Sequence, residues 1–246
     1  MATFTSFLNV LPHPDKPIGL AGQSLATNSG GTAGPGYASV TFSSESPVQV
    51  SRTNSGRVIT RNIAGHKWNI DIKYNPMTRE QFEPVYSFLL EKNGRLNPFF
   101  VQLPQHAHGK NTAFATADPS ITTATTGSKG ANFILQAGHN TTESTQPEPG
   151  DIFVIQDTND SLHTKAYRVT RVMGNSTYNS AVHSQPTTSQ RIVYFTPPLQ
   201  RDVAQGAGCD FGNPNIRVIL KSDVQSYSLG TNNLYQFSLK LEEAQA

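Results

Sequence analysis

The chain has 246 residues, a formal net charge of +2, 36% hydrophobic and 15% charged residues, and a single cysteine. That length fits one large β domain or two small ones. The lone cysteine excludes an intrachain disulfide, and the weak, unclustered positive charge argues against a chain that grips nucleic-acid phosphates by itself. Ser, Thr, Asn, Gly and Gln make up the difference in composition, which suits many short strands and long loops. The opening FTSFLNVL offers neither the basic flank nor the apolar length of a signal peptide. No stretch approaches the roughly 18 apolar residues that cross a bilayer. The expectation is a chain made and folded in a reducing cytoplasm, with no membrane insertion.

Residues 1–10 read as an N-terminal strand. Residues 11–38 are rich in Pro, Gly and Ser and read as an extended arm that contacts a partner. Val48 and Val50, then Arg57 to Arg61, form a strand pair turned at Asn54, Ser55 and Gly56. Trp68, Ile70, Ile72 and Tyr74 alternate with Asn69, Asp71 and Lys73, a strand with one apolar face. Asn75-Pro76 ends it, because proline has no N–H for the ladder.

Thr78 caps a helix over about 78–92, with Gln81 placed to return the capping bond. Phe82, Val85, Tyr86 and Leu89 form its apolar stripe. Pro84 is expected to kink or loosen the first turns. Lys92 and Arg95 suit the negative end of the helix, and Gly94 suits the left-handed position beyond it. Asn97-Pro98 turns the chain into a buried strand carrying Phe99, Phe100, Val101 and Leu103.

After Pro104 the chain is rich in Thr, Ala, Ser and Gly, with an apolar island at Phe133-Ile134-Leu135. Further strands are expected at 152–155, 166–173 and 191–196, separated by turn clusters. They describe a small antiparallel β domain over 104–212. The closing section holds strands at 216–220, 225–229 and 234–241, the last with Tyr235, Phe237, Leu239 and Leu241 on one face. Its alternation matches that of 68–74, so the two are expected in one sheet. The predicted fold is mainly β: an antiparallel β-sandwich or barrel with one flanking helix, built from 1–103 and 213–246, and interrupted by the insert. Its expected core is Trp68, Ile70, Ile72, Tyr74, Phe82, Val85, Tyr86, Leu89, Tyr235, Phe237 and Leu239.

No nucleophile elbow, dinucleotide fingerprint, phosphate loop or zinc spacing occurs, and no carboxylate pair stands out. The chain therefore reads as a protein without catalytic centre or cofactor. His106 and His108 would share a strand face and hold a metal between copies of a trimer. The preferred reading makes them polar loop residues after Pro104. Cys209 reads as an inert small residue. Tyr167, Tyr178 and Phe195 are either core or, if the insert binds glycans, stacking platforms.

Several phrases resemble tail proteins of tailed bacteriophages. They are Trp68–Tyr74 followed by Pro76-Met77-Thr78-Arg79, then Phe82 to Leu90, Gly94-Arg95, Asn97-Pro98-Phe99 and Gln102-Leu103-Pro104. Gly150-Asp151-Ile152-Phe153 follows, then Lys165 and Tyr167, Pro197-Pro198-Leu199, and a closing strand with Glu242-Glu243-Ala244. The order is similar to that of distal-tail or baseplate-hub components and covers residues 60–104 and 149–244. The resemblance implies a tail-tube-like structural protein of the virion tail, assembled in the host cytoplasm. It implies a homo-oligomer, a hexameric ring at the tube–baseplate junction. Its neighbours would be the tail tube protein and baseplate hub or wedge proteins, and DNA would pass through without specific binding. Other tail rings (terminator, neck or sheath-associated) and a carbohydrate- or receptor-binding tail-tip module remain alternatives.

Overall fold

A computed structural model describes residues 9–14, 34–62, 65–117 and 121–245. The expected strand up to residue 8, and the expected arm over 15–33, lie outside the described residues. The strands in chain order are β1 (Tyr37–Glu45), β2 (Val48–Arg52), β3 (Val58–Asn62), β4 (Lys67–Tyr74), β5 (Phe99–Val101), β6 (Thr122–Thr123) and β7 (Phe133–Ala137). They continue as β8 (Ile152–Gln156), β9 (Ala166–Met173), β10 (Arg191–Thr196), β11 (Gly208–Asp210), β12 (Ile216–Leu220), β13 (Tyr227–Leu229) and β14 (Tyr235–Glu243). The helices are α1 (Arg79–Glu91) and the short α2 (Thr112–Ala117). The fold is mainly β with antiparallel sheets and one longer helix, as expected. Two compact units emerge: Met1–Val101 with Val218–Ala244, and Gln102–Arg217 with Gln245–Ala246.

The first unit holds a six-stranded sheet in the order β1-β4-β14-β12-β5, with β13 also pairing β14, and a separate two-stranded ribbon of β2 and β3. Alternation in β4 buries Trp68, Ile70, Ile72 and Tyr74, and alternation in β14 buries Phe237, Leu239 and Leu241. The two strands are antiparallel neighbours, with Leu239 opposite Ile72 and Leu241 opposite Ile70. Cross-strand pairs of this kind are the unit of sheet stability. Asn9 to Leu11 lie along β5: the Leu11 N–H donates to the Phe100 carbonyl at 2.8 Å, and the Phe100 N–H to that of Asn9 at 2.8 Å. Val10 and Leu11 are buried, so the start of the expected arm is fastened to the sheet.

Helix α1 covers one face of apolar residues. The Thr78 N–H donates to Gln81 Oε1 at 3.3 Å, one half of a capping box. The helix runs on continuously through Pro84, although that residue has no N–H to donate to the turn before it. Phe82, Val85, Phe88 and Leu89 are buried. Phe88 packs edge-on against Phe99 at 5.5 Å. Tyr86 and Tyr235 are half-buried at the rim of an aromatic cluster rather than inside the core. Phe82 stacks on Tyr235 at 4.6 Å and on Tyr86 at 5.2 Å. The Tyr86 hydroxyl donates to the Gln225 carbonyl at 3.4 Å, which holds the ring near the surface.

The end of α1 departs from a simple dipole arrangement. Lys92 is buried, with its Nζ 4.4 Å above the Phe88 ring, and Arg95 pairs with Glu242 at 2.9 Å. Gly94 has φ +64°, and a Cβ there would meet Asp223 Oδ1 at 2.9 Å, so both backbone and space call for glycine.

The second unit is a closed antiparallel barrel in the order β10-β7-β6-β11-β8-β9. Closure leaves no open sheet edge in the ring. The barrel fold thus lies in the inserted segment, whereas the flanking helix belongs to the unit with the six-stranded sheet. Phe153, Tyr167, Val193 and Phe195 pack at the barrel's centre with Phe114, Ile134 and Phe211.

Candidate functional site

The residues that the sequence singles out for chemistry are His106, His108 and Cys209. His106 ends a 3-10 turn, Pro104–His106, and His108 follows in a bend. Proline starts that turn, and the strand geometry that would aim both imidazoles at one metal does not form. His106 is half-buried and His108 exposed. Burial, and then the nearby Arg168 charge, push the pKa of His106 below its ordinary value. Among the described residues, no three His, Cys, Asp or Glu side chains gather as a metal site would require. Cys209 is buried in β11, where burial pushes its thiol up to about 12, far from the thiolate that nucleophilic chemistry needs.

The aromatic residues of the barrel divide. Tyr167 and Phe195 are buried with ring centres 5.0 Å apart, so they are core and cannot stack on a sugar. Tyr178 is half-buried in a loop. The Tyr167 hydroxyl lies 2.8 Å from His163 Nε2 and accepts the Gln200 N–H at 3.2 Å.

Among the described residues, Arg191 is the largest fully buried side chain. Its Nη1 donates to the Thr188 and Gln190 carbonyls at 2.8 and 2.7 Å, and its Nη2 to that of Asn140 at 2.8 Å. Its Nε donates to Gln146 Oε1 at 3.1 Å. One rigid guanidinium thereby ties two loops to β10. Asp157 fastens its own turn and the loop at Ala204 by acceptance, taking the Ala204 N–H at 2.8 Å and the Asn159 N–H at 2.9 Å.

Two openings are lined by polar and aromatic groups. In the first unit a groove of about 500 Å³ is bordered by Lys73, Tyr74, Tyr227 and Phe237. In the second, a hollow of about 220 Å³ is bordered by Lys129, His163, Lys165 and Arg201, and Arg201 pairs with Asp160. More conspicuous is the ribbon of β2 and β3, which joins no other strand among the described residues. Its valines face solvent, and nothing in a strand-period reading says whether such residues will find a covering layer. The only sequence signal was a hairpin with valines and arginines and no acidic residue.

The chain thus combines antiparallel β units whose buried polar groups fasten loops with apolar side chains left outside. A 138-residue region is 30% identical to the distal tail protein pb9 of Escherichia phage T5, and covers 56% of this chain. The match spans 62% of the length of that relative. The similarity supports a structural component of a phage tail. No family model matches the chain.

Proposed function

We propose that this protein is a structural part of a phage virion tail that forms a ring at the junction of tube and baseplate. The observation that carries the reading is the similarity to a distal tail protein. Two features favour it. The chain is built of antiparallel β units, and it leaves apolar residues outside on a ribbon that needs a neighbour to cover it. In this role the neighbours along the tail are the tail tube protein and the baseplate hub. DNA passes through the ring without a specific site, which suits a net charge of only +2. The glycan-binding reading loses two of its three platforms, because Tyr167 and Phe195 are core.

The placement is tested on assembled particles. Gold-labelled antibody against this chain should decorate the distal end of the tail tube in purified virions. Label along the whole tube, at the head–tail neck, or only on fibres would remove this reading.

A further inference from the structure

We infer that the β2–β3 ribbon docks on the outer face and C-terminal turn of α1 in a second copy of this chain. The inference rests on the ring reading and supplies its contact.

The ribbon is a two-stranded sheet, with Val50 opposite Thr60 and Arg52 opposite Val58. Val48, Val50 and Val58 therefore share one face, and Ile59 lies on the other. These four side chains are between 49% and 59% exposed. An isolated two-stranded ribbon is marginally stable in water, and one with apolar residues on both faces needs a partner surface. Arg52, Arg57 and Arg61 give residues 48–62 three positive charges and no negative one. Two ribbons would repel each other if paired. At about 3.4 Å per residue the strands reach roughly 17 Å.

The same unit carries the complement. The outward side of α1 presents Glu80, Glu83, Leu90 and Glu91, and its single cation there, Arg79, is bonded to Glu83. Leu90 is 52% exposed, and Leu96, in the turn after the helix, is 74% exposed. Val224 is 77% exposed. It sits beside the same turn, because the neighbouring Asp223 accepts the Arg95 N–H at 3.2 Å. A basic ribbon with exposed apolar residues and a helix with an acidic outer side and an apolar end, where Arg95 is paired with Glu242, are thus exposed on one chain. Contact between copies is head-to-tail, the type that generates a closed ring when its rotation closes.

Cross-linking of the full chain tests the contact. Val50→Cys and Leu90→Cys are introduced together and singly, and a short bis-maleimide is added; the native Cys209 is buried. The double variant should give a ladder of covalent multimers and each single variant none. Changing Arg52, Arg57 and Arg61 to Glu should cut the yield about tenfold, and adding Glu80→Lys, Glu83→Lys and Glu91→Lys should restore it. Restoration also shows that the charge variants fold. No ladder, or dimers from Val50→Cys alone, overturns the inference. Light scattering on the same samples separates the two claims. Closed particles without the 50–90 link overturn the docking and leave the ring. Linked but open chains uphold the docking and remove the ring.

Discussion

Arg191 shows most clearly how a single side chain holds the barrel's loops. Its donors meet three backbone carbonyls and one side-chain amide inside the protein. Arg191→Met would leave those acceptors unmet and should lower stability by about 2–4 kcal/mol, read from urea unfolding. Arg191→Lys should recover little, because an ammonium cannot span the same fork. His139 predicts the pH response. Its Nε2 is 3.2 Å from Gln136 Oε1, and its buried Nδ1 has no partner, so protonation would bury a charge and an unmet donor. Burial, and then Arg191, push its pKa down to about 3. Against about 6.5 in the unfolded chain, the stabilisation is complete above pH 6.5 and is lost progressively as pH falls towards 3. At pH 5 the loss from this residue is about 2 kcal/mol. His163 is pushed down by burial as well and adds to the slope. The urea midpoint should fall over this range, and His139→Gln should flatten the fall; an unchanged slope would contradict the assignment. None of this could be read from the sequence, where a lone Arg and His in a polar β chain look like surface residues.

At the scale of elements, legibility followed the period. β4 and β14 each bury one face and leave the other wet, so alternation reveals them. Their pairing also fits the matched patterns, because an apolar face of one width calls for another. Leu239→Ala removes a buried side chain opposite Ile72 and should cost about 2–5 kcal/mol, measured as a shift in denaturation midpoint. A cost below 1 kcal/mol would mean that the neighbouring side chains collapse into the gap. Phe88 escaped the stripe because it sits three residues from Val85 on the other border of the buried arc. β6 and β11 escaped because strands of two and three residues carry no period. His106 and His108 were offered a strand that the proline-led turn replaces. The β2–β3 hairpin was legible as a hairpin from its turn residues, with Gly56 at φ +79°. Its exposure was not, because strand pattern does not name the layer that covers it.

For the whole molecule, the sheet unit with its helix and the barrel unit are each closed by their own apolar cores. In the sheet unit a basic ribbon with exposed apolar residues and a helix with an acidic outer side and an apolar end lie outside, and the proposed contact joins them. Among the described residues no helix is long and apolar enough to cross a membrane. The proposed tail ring is tested first by the mass of the purified full chain in light scattering, with negative-stain images of the same sample. The account predicts a closed particle of about six copies with a central hole, as head-to-tail contacts of one kind allow. A monomer that persists at high protein concentration, with no annular particles in the images, would contradict it.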